Sequence, residues 1–300
     1  MRTLKIKQVD TFTDRAYTGN PACVVMEADG LSDAEMQAIA REMNKSETAF
    51  ILKPKDKSYD VELRWKTPEA DANVCGHGVI AAFHALIEDG VFTLEDHSAK
   101  QFKVKTKNGS LPIEVDRETG KPMISFSIPA AEFTEYHGQR YELCNALSIS
   151  TELLDRALPI WISNHGYIFI PFMNRESLLK MKPSFDELRY LSHRSKISGY
   201  CAFTTDTKHS SSAAHSRFFA PHLGINEDPV TGSAQADLAC YLYQNQRIKG
   251  TGTICTALEQ GYEIERGGRV WVELGIESET VKQVKISGYA ITVMKGEVYI

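Results

Sequence analysis

Three side chains have the right chemistry and placement to move a proton: Glu47, His77 and Asp228. Glu47 sits in Ser46-Glu47-Thr48, where a helical pattern gives way to an apolar strand. Glutamate is depleted in strands, and beside Phe50 and Ile51 its carboxylate is open to desolvation. Desolvation raises a carboxyl pKa toward neutrality, which suits a group that must both take and return a proton. An ordinary edge-strand glutamate in water fits the local sequence as well. His77, inside Cys75-Gly76-His77-Gly78, is the best placed of the nine histidines for acid–base work, or else a structural residue near a helix start. Asp228 precedes Pro229-Val230-Thr231-Gly232-Ser233; it can hold the backbone of that turn, or orient His77 or a substrate amine across a domain interface.

The two glycine-bearing turns, Gly76 to Gly78 and Gly232-Ser233, each lead into an apolar helix-like run. The first amides of a helix lack intrahelical partners, and the helix dipole places partial positive charge there. Such a start receives a carboxylate or phosphate, and glycine lets the backbone approach it closely. Gly76, Gly78, Gly232 and Ser233 are therefore candidate substrate-holding residues; Ser46, beside Glu47, and Cys75, which otherwise is only a small buried residue, complete the set. A plain tight turn remains the alternative for either segment alone.

The two turns belong to a longer repeat. Phe50, Arg64 and Pro68 match Phe203, Arg217 and Pro221 at one constant spacing, and the turns follow after a three-residue insertion. A repeat of this length predicts two related domains with a functional site between them. The copies differ in their chemistry. Cys75 is matched by Thr231, whose hydroxyl is too weak an acid to act as a thiolate-like base, so a pair of opposed thiols is disfavoured. The segment before Phe203, Ser198-Gly199-Tyr200-Cys201, offers no carboxylate to match Glu47.

The elements that must position these residues are legible from periodicity. Ile6 to Phe12 alternates as a half-buried strand, Ala22 to Met26 reads as a buried one, and Thr48 to Leu52 and Tyr59 to Trp65 follow. Ser32-Asp33-Ala34-Glu35 has the capping-box spacing, with Met36, Ile39, Ala40 and Met43 on one face of a helix ending near Asn44. Val79 to Ile87 is apolar on every face and must be enclosed, with His84 a core residue within it. Gln235 to Leu242 is its counterpart. Strand-rich stretches close each half, Phe102 to Val115 turning at Asn108-Gly109 and Glu263 to Leu274 turning at Gly267-Gly268. Ser210 to Ser212 reads as an exposed hairpin loop. The fold class is α+β: two similar domains, 1–129 and 130–300, each a barrel-like sheet around a central helix, with a return of the last strand to the first domain left open.

The 300 residues suffice for two domains, and 42% hydrophobic with 24% charged residues is ordinary for a globular protein. A net charge of −5 without a basic run argues against nucleic acid as a partner. Six scattered cysteines with no C-x-x-C pair, and histidines without ligand spacing, argue against a metal site. The N-terminus lacks a signal-peptide core and the longest near-apolar run falls far short of a membrane span, so a cytoplasmic location is expected.

Asn20-Pro21, Asn44-x-Ser46-Glu47-Thr48, Cys75-Gly76-His77, Arg217-Phe218-Phe219-Ala220-Pro221, Glu227 to Ala234 and Glu259-Gln260-Gly261 together resemble the phenazine-biosynthesis isomerase (PhzF-like) family over nearly the whole chain. The resemblance implies a diaminopimelate-epimerase-like fold, no cofactor and a homodimer. It implies that Glu47 shuttles a proton within one small carboxylated substrate, that His77 and Asp228 assist, and that Gly232 and Ser233 hold the substrate. Gln235 stands where many relatives carry a different polar residue, which bears on substrate choice. The expected activity is an isomerisation by a single acid–base residue. A two-base epimerase or racemase, and a non-catalytic binder of small acids, are the rivals.

Overall fold

Parallel strand pairs organise the chain, because each requires a crossover connection and a helix supplies it. In a computed structural model of the protein, residues 2–71, 76–95, 98–117 and 120–300 are described. The chain divides into two units, Met1–Ser127 with Ile286–Ile300, and Ile128–Lys285.

The elements of the first stretch are β1 (Thr3–Thr11), β2 (Asn20–Val25), α1 (Asp33–Met43), β3 (Thr48–Leu52), β4 (Val61–Lys66), α2 (Gly76–Glu88), β5 (Ala99–Thr106), β6 (Gly109–Asp116) and β7 (Met123–Ile128). There follow β8 (Phe133–Glu135), α3 (Arg140–Ala146), β9 (Trp161–Ser163), β10 (Tyr167–Pro171), α4 (Arg175–Leu179), α5 (Phe185–Ser195), β11 (Gly199–Thr204), β12 (Ser212–Ala220), β13 (Ile225–Asp228) and α6 (Gly232–Gln244). The chain closes with β14 (Gly252–Gln260), β15 (Gly268–Glu277), β16 (Thr280–Gly288) and β17 (Ala290–Tyr299).

In the first unit β1 lies antiparallel between β17 and β2, so the C-terminal strand completes this unit. β2 runs parallel to β3 with α1 as the crossover, β3 pairs antiparallel with β4, and β4 runs parallel to β5 with α2 as the crossover. β5, β6 and β7 continue antiparallel. The capping box of α1 is formed: Ser32 accepts from the Glu35 amide, and Glu35 accepts from the Ser32 amide at 2.7 Å. Asn44 stops the helix in the left-handed conformation and redirects the chain toward Ser46 and Glu47. Helix α2 is buried at His77 to Phe83 and again at Ala85 and Leu86, as an all-round apolar helix must be. Phe83 meets Phe102 edge-on at 5.4 Å, and Phe92 stacks on Phe102 at 4.4 Å.

The second unit repeats this order of pairings. β10 runs parallel to β11 with α4 and α5 in the crossover, β11 pairs antiparallel with β12, and β12 runs parallel to β14 with α6 in the crossover. A β14–β15 hairpin follows, as β5–β6 follows α2. Helix α6 is buried at Gly232 and without a break from Ala234 to Tyr243. Its Tyr241 packs within 6 Å of the rings of Phe133, Trp161, Phe169 and Phe203, and its hydroxyl donates to the Pro159 carbonyl at 2.5 Å. Burying four aromatic partners around one ring on the helix fixes its depth; truncating such a residue typically costs about 3–5 kcal/mol.

Three local expectations change. The Glu263 to Leu274 stretch is not one hairpin: Tyr262–Ile264 is a 3-10 turn, and the paired strands are β14 and β15, joined where Gln260 faces Gly268. Ser212 is the buried first residue of β12, so the exposed loop ends at Ser211. The matched stretches of the two halves also differ by one residue in strand register. Phe50 faces Arg64, whereas Ala202, not Phe203, faces Arg217. Because side chains alternate along a strand, this single step places the two phenylalanines on opposite faces. Phe50 packs with α1 residues Met36 and Ile39, whereas Phe203 packs on Tyr241 of α6.

Candidate functional site

Glu47 is placed by two devices. The left-handed stop at Asn44 ends α1, and the Glu47 carbonyl accepts from the Cys23 amide at 3.1 Å, extending the parallel β2–β3 pairing by one residue. Its side chain is half-buried and reaches the first turn of α2. A methyl group built on Gly78 would lie 3.2 Å from Glu47 Oε2 and only 2.7–2.8 Å from Cδ1 and Nε1 of Trp65. Glycine at 78 is therefore required by close approach. Gly76 is under the same constraint from the Phe126 ring, 2.6 Å from the place its Cβ would occupy. Both glycines are the first turn of α2 itself, where the sequence suggested a turn ahead of the helix.

His77 is buried, and its Nε2 lies 3.3 Å from Ser46 Oγ. Burial pushes its pKa down to about 4. It is thus a neutral imidazole near neutral pH, able to donate from one ring nitrogen and accept at the other, and it carries no charge of its own. The structure brings together Ser46, Glu47, His77 and Gly78 within the first unit; Cys75 lies outside the described residues. Cys23, on the strand beside Glu47, is a buried thiol pushed up to about 12, which rules out a thiolate there. Below the site, Lys66 is held by Asp33 at 2.9 Å and by Asp71; burial opposes its charge, but the two carboxylates outweigh it and raise its pKa. Gln37 donates to the Thr67 and Pro68 carbonyls at 2.9 and 3.0 Å and fixes the chain beyond β4.

In the second unit Asp228 is the buried last residue of β13, and its Oδ2 accepts from the Thr231 hydroxyl at 2.5 Å. Gln260, fully buried at the end of β14, ties this segment to the sheet. Its Nε2 donates to the Asp228 carbonyl at 2.7 Å and its Oε1 accepts from the Thr231 amide at 3.2 Å. Gln235 completes the network, donating to Gln260 Oε1 at 2.6 Å and to Ser216 Oγ at 2.8 Å. Gln235 is wholly buried and helps to build the helix start. Gly232 and Ser233 open α6, and Ser233 Oγ lies 3.1 Å from the Tyr167 hydroxyl. Four residues further along the helix, the buried Asp237 carboxylate lies 3.0 Å from His165 Nδ1 and raises that histidine's pKa.

Sequence reasoning passed over Trp65, Tyr167, His165 and Gln260. Trp65 and Gln260 stand inside the quoted motifs, so a signal existed; Tyr167 and His165 sit in an unremarkable strand entry, and only the fold brings them to α6. Among the described residues no group of three or more His, Cys, Asp or Glu side chains could hold a metal ion. No helix among them is long and apolar enough to cross a membrane.

The frame of the candidate site is thus an enclosed helix in each unit, a glycine-bearing first turn on each and, in the first unit, a carboxylate laid against that turn. The sequence profile of the phenazine biosynthesis-like protein family matches residues 9–296, and the chain belongs to that family. It is 38% identical to an uncharacterized isomerase of Clostridium acetobutylicum over 99% of this chain and 98% of that protein. The crystal structure of a Bacillus anthracis phenazine biosynthesis protein of the PhzF family superposes with a TM-score of 0.92 at 30% identity, covering 100% of both chains. A predicted epimerase from Pseudomonas aeruginosa shares the fold, with a TM-score of 0.77 at 23% identity over 99% of each chain.

Proposed function

We propose that the protein is a cofactor-independent isomerase that moves a proton within a small carboxylated substrate, with Glu47 as the proton carrier. The observation that carries this reading is the position of Glu47 Oε2, which would lie 3.2 Å from a methyl group placed on Gly78, in the first turn of an enclosed helix. A carboxylate there is partly desolvated yet reachable, and the amides of Gly76 to Gly78 stand ready for developing enolate-like charge. His77, neutral because it is buried, polarises the substrate by donating a hydrogen bond and adds no competing proton at neutral pH. The reading gives Asp228 the task of orienting the substrate, and Gly232 and Ser233 that of holding its carboxylate. The names of the curated isomerase relatives support the reaction class.

A two-base epimerase is the second reading, favoured by the fold shared with a predicted epimerase. The Thr231 hydroxyl, already donated to Asp228, counts against it as the second base. Turnover in D2O separates the two. An isomerase carries solvent deuterium to a different carbon of the substrate, whereas an epimerase labels the stereocentre itself. Glu47→Gln is expected to abolish turnover while a small carboxylic acid still binds with little change in affinity. Full turnover in that variant removes Glu47 from the mechanism.

A further inference from the structure

The strand that carries Trp65 places an unused hydrogen-bond donor beside Glu47. Trp65 is 4% exposed, and its Nε1 has no hydrogen-bond partner among the described residues. A buried donor left unmade is unfavourable, and an aromatic ring without an N–H would carry no such cost. The ring is oriented with its nitrogen-bearing edge against Gly78, the same open position that Glu47 Oε2 approaches. Strand geometry explains the meeting. Trp65 faces Ala49 across the β3–β4 pair, and Glu47, two residues before Ala49, projects to the same side. Ala49 and Gly78 are both too small to separate the indole from the carboxylate.

The geometry points to Trp65 as a positioning residue for the proton carrier: its indole N–H is the donor that the Glu47 carboxylate takes up when ionised and releases when protonated. This rests on Glu47 being that carrier. The indole N–H stabilises only the charged form, so making the contact keeps the carboxylate available to take a proton, and releasing it favours the protonated form that returns one. A small turn of the Glu47 side chain makes or breaks the contact, with no movement of the sheet or helix. The glycine at 78 is then part of the same device, since any side chain there would stand between the two groups.

The test reads Glu47 directly and does not depend on turnover. Carboxyl carbon NMR of the ligand-free protein, assigned through Glu47→Gln, gives the Glu47 midpoint. In Trp65→Phe it is expected to rise by about one pH unit, the equivalent of one hydrogen bond to a charged group. In the unaltered protein the Trp65 indole proton–nitrogen resonance is expected to shift with the same midpoint, and in Glu47→Gln to stop responding. An unchanged midpoint in a folded Trp65→Phe overturns the proposal, as does an indole resonance indifferent to pH across the Glu47 midpoint. Should Trp65→Phe fail to fold, the indole titration of the unaltered protein decides alone. Full turnover by Glu47→Gln would remove Glu47 as the proton carrier, while these titrations still report on the Trp65–Glu47 pair itself.

Discussion

Ser46 Oγ lies 3.3 Å from His77 Nε2, joining the residue before Glu47 to the second residue of α2. The contact couples the end of the α1–β3 loop to the helix start, so that Glu47 and His77 are presented together. The charge of His77 follows its burial, which holds it neutral down to about pH 4. Ser46→Ala is therefore expected to leave the His77 midpoint near 4, read from its ring C–H resonances, while loosening the ring. The folded-state value lies below the ordinary one, so His77 adds nothing unfavourable above about pH 6.5 and progressively destabilises the fold as pH falls from there toward 4. A His77 midpoint near 6.5 in the folded protein would refute this account.

Gln260 makes a second prediction, on stability. It holds the Asp228 carbonyl, the Thr231 amide and the Gln235 side chain while wholly buried. Gln260→Leu removes one side chain but strands several buried polar groups, and about 2–4 kcal/mol of stability is expected to go with it. Urea unfolding measures the loss. The double variant Gln235→Leu, Gln260→Leu should lose less than the two single variants combined, because each leaves the other's partner unsatisfied. Additive losses would show that the two amides act independently.

Much of this arrangement is legible in the sequence, and the missing parts share a cause. The capping box, the strand from Thr48 to Leu52, the Asn108-Gly109 hairpin and the enclosed helix at Val79 were all marked by local periodicity or turn chemistry, and the structure contains each of them. Glu47, Ser46 and His77 were marked by residue type and do gather. What periodicity cannot carry is which strand residue faces which. The shift that pairs Arg217 with Ala202 is invisible in a sequence match that aligns Phe50 with Phe203. Gln235 and Gln260 meet only because β12 and β14 run parallel beside α6, a long-range pairing with no local signature. Trp65 was in view throughout, inside a repeated motif, but its role depends on Gly78 approaching from another element.

Gly76 and Gly78 give a third prediction. A methyl at Gly76 would lie 2.6 Å from the Phe126 ring, and one at Gly78 would lie 2.7 Å from the Trp65 indole. Neither ring is at the end of a flexible chain, so Gly76→Ala and Gly78→Ala are each expected to cost about 1–3 kcal/mol through overpacking. Pairing Gly76→Ala with Phe126→Leu should return part of the loss in thermal unfolding, since the smaller side chain vacates the contact. No recovery in the pair would mean that the glycine is needed for backbone reasons instead.

A fourth prediction concerns a buried ion cluster in the second unit. His215 lies between two carboxylates, with Nδ1 2.8 Å from Glu259 and Nε2 2.7 Å from Glu263, and its ring stacks on Tyr262 at 5.7 Å. Burial opposes the charge on His215, but the hydrogen bonds to Glu259 and Glu263 outweigh it and push the pKa up to about 9. Burial likewise raises the two carboxyls, and the bonds to His215 hold both below their ordinary value. The His215 contribution is complete below about pH 6.5 and is lost as pH rises through about 9; the carboxylate contributions are complete above about pH 4.5 and are lost as pH falls below it. The cluster thus stabilises most between those limits. His215→Gln leaves two buried carboxylates facing a neutral amide, and a loss of about 3–5 kcal/mol is expected at pH 6. Denaturant unfolding at pH 6, 8 and 10 should show the gap between the two proteins narrowing with pH, because the unaltered protein loses its own imidazolium. A gap that stays constant to pH 10 would mean that His215 is held neutral and that the cluster is no ion pair.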